Sequence, residues 1–72
     1  MHDIHVTVVS PEEASFGVAE FWSEGRQIGF TRFEDSALVL RIEPRNDGGA
    51  LVIGVQRLVD ALAEANRLLA VF

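Results

Sequence analysis

Val18-Ala19-Glu20-Phe21-Trp22-Ser23-Glu24-Gly25-Arg26-Gln27-Ile28-Gly29-Phe30 holds two short alternating apolar runs on either side of Glu24-Gly25. Alternation places successive side chains on opposite faces of a strand, and a Gly at a two-residue turn supplies the positive φ that a tight hairpin needs. The stretch therefore predicts antiparallel strands over 15–22 and 27–33. A two-residue loop between them sets Phe21 opposite Ile28 and Ala19 opposite Phe30. Upstream, Ile4 to Val9 alternates with β-branched residues and reads as a strand over 4–9, ended by Ser10-Pro11-Glu12-Glu13. Downstream, Glu34-Asp35-Ser36 turns the chain into a strand over 37–43.

The register follows from requiring one apolar face. A three-residue loop at 34–36 sets Phe30 opposite Leu40 and Ile28 opposite Ile42. A two-residue loop would put Arg41 opposite Phe30 on the apolar side, which is costly. A four-residue loop at 10–13 sets Ile4 opposite Ala19 and Val6 opposite Gly17. One face then collects Ile4, Val6, Val8, Ala19, Phe21, Ile28, Phe30, Leu38, Leu40 and Ile42. Pro44 stops the fourth strand, 45–49 is a turn, and 50–53 is either a short fifth strand, the favoured reading, or the start of the helix, with Gly54 at the junction. From Val55 the spacing becomes helical: Val55, Leu58, Leu62, Ala65 and Leu69 recur every three or four residues, predicting a helix over 55–70. The expected fold is α+β, one domain over 1–72. It is an antiparallel four- to five-stranded meander with a C-terminal amphipathic helix on its apolar face.

Composition narrows the function classes. At 72 residues the chain has room for one small core, and without cysteine no disulfide supports it. The net charge of −5, with six scattered arginines and no lysine, argues against nucleic acid and against an anionic membrane surface. Arginine without lysine also suggests a GC-rich bacterial coding sequence. No signal-peptide pattern is visible, and Leu68 to Phe72 is too short to span a bilayer, so a cytoplasmic location is expected.

Chemistry is sparse. His2, Asp3 and His5 are metal-ligand types close in sequence, but a strand sends His2 to one face and the other two to the opposite one. Glu12-Glu13 and Glu34-Asp35 sit in solvated turns. No serine is spaced to an evident histidine base, and Gly48-Gly49 lacks the lysine of a phosphate loop. No catalytic residue, cofactor site or metal site is assigned.

The face away from the helix is the informative one. It is expected to carry Phe16, Val18, Trp22, Phe33 and Val39, with His5, Thr7 and Thr31, around Glu20 and Arg41. Those two would meet over Gly29 on the strand between them, as a surface ion pair or a polar anchor. A solvated sheet face should be polar, so two Phe, a Trp and two Val there point to a protein interface. The interface candidates are Phe16, Val18, Glu20, Trp22, Phe33, Val39 and Arg41. The first strand is also an edge without Lys, Pro or an evident bulge.

The stretch quoted first, followed by an acidic turn, a Leu-Val-Leu strand and a Leu/Ala helix, resembles small bacterial meander-plus-helix proteins. That resemblance implies the fold and assigns no residue a role. The expected function is a bacterial protein–protein interaction module, homodimeric through the aromatic sheet face or the first-strand edge. The alternatives are a binder of a small apolar ligand between sheet and helix, and an acidic immunity- or antitoxin-type inhibitor of a basic partner.

Overall fold

A computed structural model describes residues 3–10, 17–43 and 48–71. Strands β1 (His5–Val9), β2 (Val18–Ser23), β3 (Arg26–Glu34) and β4 (Ala37–Ile42) form one antiparallel sheet in the order β1-β2-β3-β4, and helix α1 (Val55–Ala70) follows. This is the expected α+β meander with a C-terminal helix. The expected fifth strand at 50–53 is absent. The chain leaves β4 at one edge of the sheet, and α1 packs over β1 and β2 on the other side. The connection therefore crosses the sheet instead of running along an edge, and it packs Leu51 and Ile53 against the core.

The two visible hairpins share one turn chemistry. Glu24 and Gly25 take φ of 53° and 75°, and Asp35 and Ser36 take 51° and 67°. Positive φ at both central residues is the type I′ pattern, whose twist matches that of paired strands. The first turn is the two-residue loop expected. The second is one residue shorter than expected, with Glu34 paired to Ala37.

The difference traces to a bulge. Trp22 pairs with Gln27, but Phe21 pairs with Gly29, leaving Ile28 as an extra residue on β3. An extra residue reverses the side-chain alternation beyond it. Phe30 consequently turns away from the helix and lies opposite Glu20, while Thr31 and Phe33 turn toward the helix side. The shorter second turn compensates. It brings Thr31 opposite Leu40 and Phe33 opposite Leu38, so Leu38, Leu40 and Ile42 stay on the helix side as expected. The cost that ruled out a two-residue turn, Arg41 opposite Phe30 on an apolar face, does not arise, because both residues are on the other face.

Between β1 and β2 the register also differs from expectation, with Val6 opposite Phe21 and Val8 opposite Ala19. Ile4 is therefore not opposite Ala19, nor Val6 opposite Gly17. The slide is an even number of residues, so the faces are preserved. The connection is longer than the four-residue loop expected at 10–13, and most of it lies outside the described residues.

The core is small. Ala19, Phe21, Ile28, Ala61 and Ala65 are buried, with Ile4, Val6, Val8, Leu40, Leu51, Ile53 and Leu69 packed around them. Ala61 and Ala65 face the sheet one helical turn apart and let the helix backbone approach it closely. Phe21, with about 1% of its surface exposed, fills the space between. Burying a side chain of that size contributes about 1.5–3 kcal/mol. Gly54 caps the helix through its carbonyl, which accepts from the Leu58 N–H at 3.0 Å, and no side chain assists.

Candidate functional site: exposed apolar residues on the helix side

The backbone of helix α1 lies closest to β1 and β2 and farther from β3 and β4. Ile28 and Leu40 still join the core from those strands. Farther along β3 and β4, the helix-side residues are open: Phe33 is 48% exposed, Ile42 is 49% exposed, and Leu38 is also exposed. Between them on the same face Gly29 and Thr31 are buried and Leu40 is half-buried, so the exposed apolar side chains of β3 and β4 sit toward the two ends of the pair.

The helix flank toward β3 is apolar too. At about 100° per residue, Arg57, Asp60, Glu64 and Arg67 fall within a sector of about 80°. That sector faces the β1 edge, where Arg57, Asp60 and Glu64 border a cleft with Asp3 and His5. The opposite flank, toward β3, carries Val55, Val59, Leu62 and Asn66. Val55 is 78% exposed and Val59 50%. An amphipathic helix on a solvated surface normally carries its charges opposite its buried stripe. Here they are displaced to one side, and the rest of the circumference is uncharged.

Phe33, Leu38, Ile42, Val52, Val55, Val59 and Leu62 are the large apolar residues left exposed, apart from Val71 at the helix end, among the described residues. At roughly 150–200 Å² for a fully exposed side chain, they leave on the order of 600–700 Å² of apolar surface open in total.

The face away from the helix is different in kind. Val18, Glu20, Trp22, Val39 and Arg41 lie on it as expected, and Phe30 takes the place expected for Phe33. Phe33 is therefore corrected to the helix side by the bulge, and Phe16 lies outside the described residues. Val18, Trp22, Phe30 and Val39 are half-buried by their neighbours, interleaved with Glu20, Arg32 and Arg41. Glu20 and Arg41 do not meet over Gly29: each is opposite Phe30, which stands between them. Glu20 Oε1 accepts from the Trp22 indole N–H at 3.3 Å, and the Arg41 guanidinium lies 3.9 Å from Glu43. β1 is an edge of the sheet, as expected, and β4 is the other.

The remaining polar feature is the cleft between β1 and α1, about 330 Å³, floored by Ile4, Val6 and Ala61. Arg57 Nη1 reaches Asp3 Oδ1 at 3.3 Å across it. Farther along the helix, Arg67 Nε donates to Glu64 Oε2 at 3.0 Å, and that hydrogen bond holds the Glu64 carboxyl below its ordinary value. No three His, Cys, Asp or Glu side chains converge for a metal among the described residues, and His2 lies outside them. No described helix is long and apolar enough to cross a membrane. No family model, no curated protein and no solved structure matches the chain. The class defined by the molecule itself is an α+β antiparallel meander followed by a C-terminal helix.

The signal for this site was present in the sequence, in the confinement of the four helix charges to one flank. Reading the helix only as a stripe against its own sheet hides it.

Proposed function

We propose that the protein is a protein–protein interaction module and that its contact surface is made by Phe33, Leu38 and Ile42 of β3–β4 together with the Val55–Val59–Leu62 flank of α1. The observation that carries this is the exposure of these large apolar side chains on the helix side. Exposed apolar side chains of this number, with no charge among them, suit a contact better than a solvated surface. A 72-residue chain also has a thin stability margin, which a partner's added burial relieves. The surface moves from the aromatic face expected from sequence to the helix side, because the aromatic face is mixed with charges and covers itself.

Affinity capture with immobilised chain tests the reading. Wild type and Trp22→Ala are expected to retain the same discrete partner, whether a second copy or a foreign chain, and Ile42→Glu is expected to lose it. Retention by Ile42→Glu, or binding lost only in Trp22→Ala, would return the contact to the other face.

A further inference from the structure

We propose that the outer edge of β1 is a strand-addition site, and that its occupant is an extended peptide segment carrying a Lys or Arg. β1 and β4 are the two edges of the sheet, so this site is separate from the contact proposed above. One hydrogen bond fixes which backbone groups the edge presents. The Ala19 N–H donates to Thr31 Oγ1 on β3 at 3.0 Å, so it points away from β1. Val8 is paired with Ala19, so that pair exchanges no ladder bond and the backbone groups of Val8 point out of the sheet. Val6, two residues back, does the same, whereas Thr7 bonds to Glu20. No turn, loop or cap bond among the described residues takes up the Val6 and Val8 groups.

Nothing in β1 closes this edge. Its five residues, His5-Val6-Thr7-Val8-Val9, include no Lys, Arg, Asp, Glu or Pro, and its pairing with β2 runs without a bulge. Charge, proline and bulges are the devices that normally keep an edge from taking another strand.

The cleft beside the edge selects the occupant. An added strand lies about 4.8 Å beyond β1, with alternate side chains on the side of the charged flank of α1. There the cleft has Ile4 and Val6 in its floor and Arg57, Asp60 and Glu64 on its border. Arg57 is engaged by Asp3, and Glu64 by Arg67. Asp60 accepts from the Gln56 amide at 2.9 Å, and its carboxylate has no cationic partner among the described residues. A Lys or Arg on the helix side of the added strand supplies that cation. Apolar residues two places before and after it rest beside Ile4 and Val6. A second copy does not meet this requirement: its own β1 brings neither Lys nor Arg, and each chain carries −5.

Amide hydrogen exchange of the full chain, titrated with acetyl-Thr-Val-Thr-Lys-Thr-Val-Thr-amide to about 5 mM, tests it. In the free chain the Val6 and Val8 amides should exchange at least about tenfold faster than that of Thr7. The peptide should slow Val6 and Val8 by about fivefold and leave Thr7 unchanged. In antiparallel addition the Val and Lys N–H groups of the peptide bond to β1. N-methylation of those residues should abolish the protection, and N-methylation of the interior Thr residues should not. Asp60→Asn should weaken binding about three- to fivefold at low salt, the size of an exposed ion pair. Asp60→Lys, on the exposed helix flank, should reverse the preference toward a peptide with Glu in place of Lys. No protection at about 5 mM peptide would overturn the inference. So would protection that survives methylation of the Val and Lys residues, or wild-type binding equal for the Glu peptide. Protection of Val6 and Val8 that rises with chain concentration alone, with a doubled mass, would give the edge to a second copy and overturn it too.

Discussion

The hydroxyl of Thr31 accepts a hydrogen bond from the backbone N–H of Ala19 at 3.0 Å, inside the sheet and out of contact with water. Thr31 is the buried polar residue among the described ones, and the bulge at Ile28 is what turns it inward. Thr31→Val keeps the shape and removes the acceptor. Its expected cost is about 1–3 kcal/mol, the penalty for a buried donor left unpaired. Thr31→Ser, which keeps the hydroxyl, should recover part of it. Urea unfolding of the two variants measures both, and equal losses would show that the hydroxyl is not what matters.

Gly29 is required by close approach. A Cβ built there would lie 2.6 Å from the carbonyl oxygen of Arg41, and that obstacle is backbone of the paired strand. Gly29→Ala should therefore separate β3 from β4 locally and cost about 2–3 kcal/mol, the upper range for overpacking. Gly25→Ala meets nothing within 4 Å and suffers only from its φ of 75°, an expected cost of about 1–2 kcal/mol. Thermal melts of the pair should rank Gly29→Ala the lower.

Both type I′ turns carry residues poorly suited to positive φ. Glu24→Asn and Ser36→Gly relieve the left-handed conformation without touching the core. Each should raise stability by about 0.5–1 kcal/mol, or a melting temperature gain of about 2–8 °C for a chain of this size. A fall in melting temperature would show that these side chains make contacts worth more than the strain.

The Glu64–Arg67 pair predicts a pH response with a definite sign. The Arg67 hydrogen bond depresses the folded-state Glu64 value below 4.5, and the same bond raises that of Arg67. A depressed carboxylate contributes stability that is complete above its unfolded value and is lost as pH falls through the folded one. Arg67→Gln should move the Glu64 titration upward in carboxyl-resolved NMR. It should also make stability less sensitive to acid below about pH 4.5. No upward movement would show that the pair does not persist in solution.

The helix and its bounds were legible because a sixteen-residue repeat of three- and four-residue spacings admits one reading. Phe21, Leu38, Leu40 and Ile42 were likewise placed on the correct face. Phe30 and Phe33 were not, because a bulge leaves little trace in an apolar alternation. Gln27-Ile28-Gly29-Phe30 reads as well in phase as out of phase, and only Gly29, where the bulge brings Arg41's backbone close, marks the place. Leu38 and Ile42 were expected in the core and are exposed, because the buried part of the helix-side face is centred on Ala19, Phe21 and Ile28.

The extra residue at Ile28 and the short turn at Asp35-Ser36 offset one another. A lineage that deleted one position near Ile28 would send Leu38, Leu40 and Ile42 to the wrong side unless it also gained one between Glu34 and Ala37. Length changes at these two places should therefore be inherited together. A pairwise comparison allowing only one gap at a time would misread such relatives as frameshifted strands.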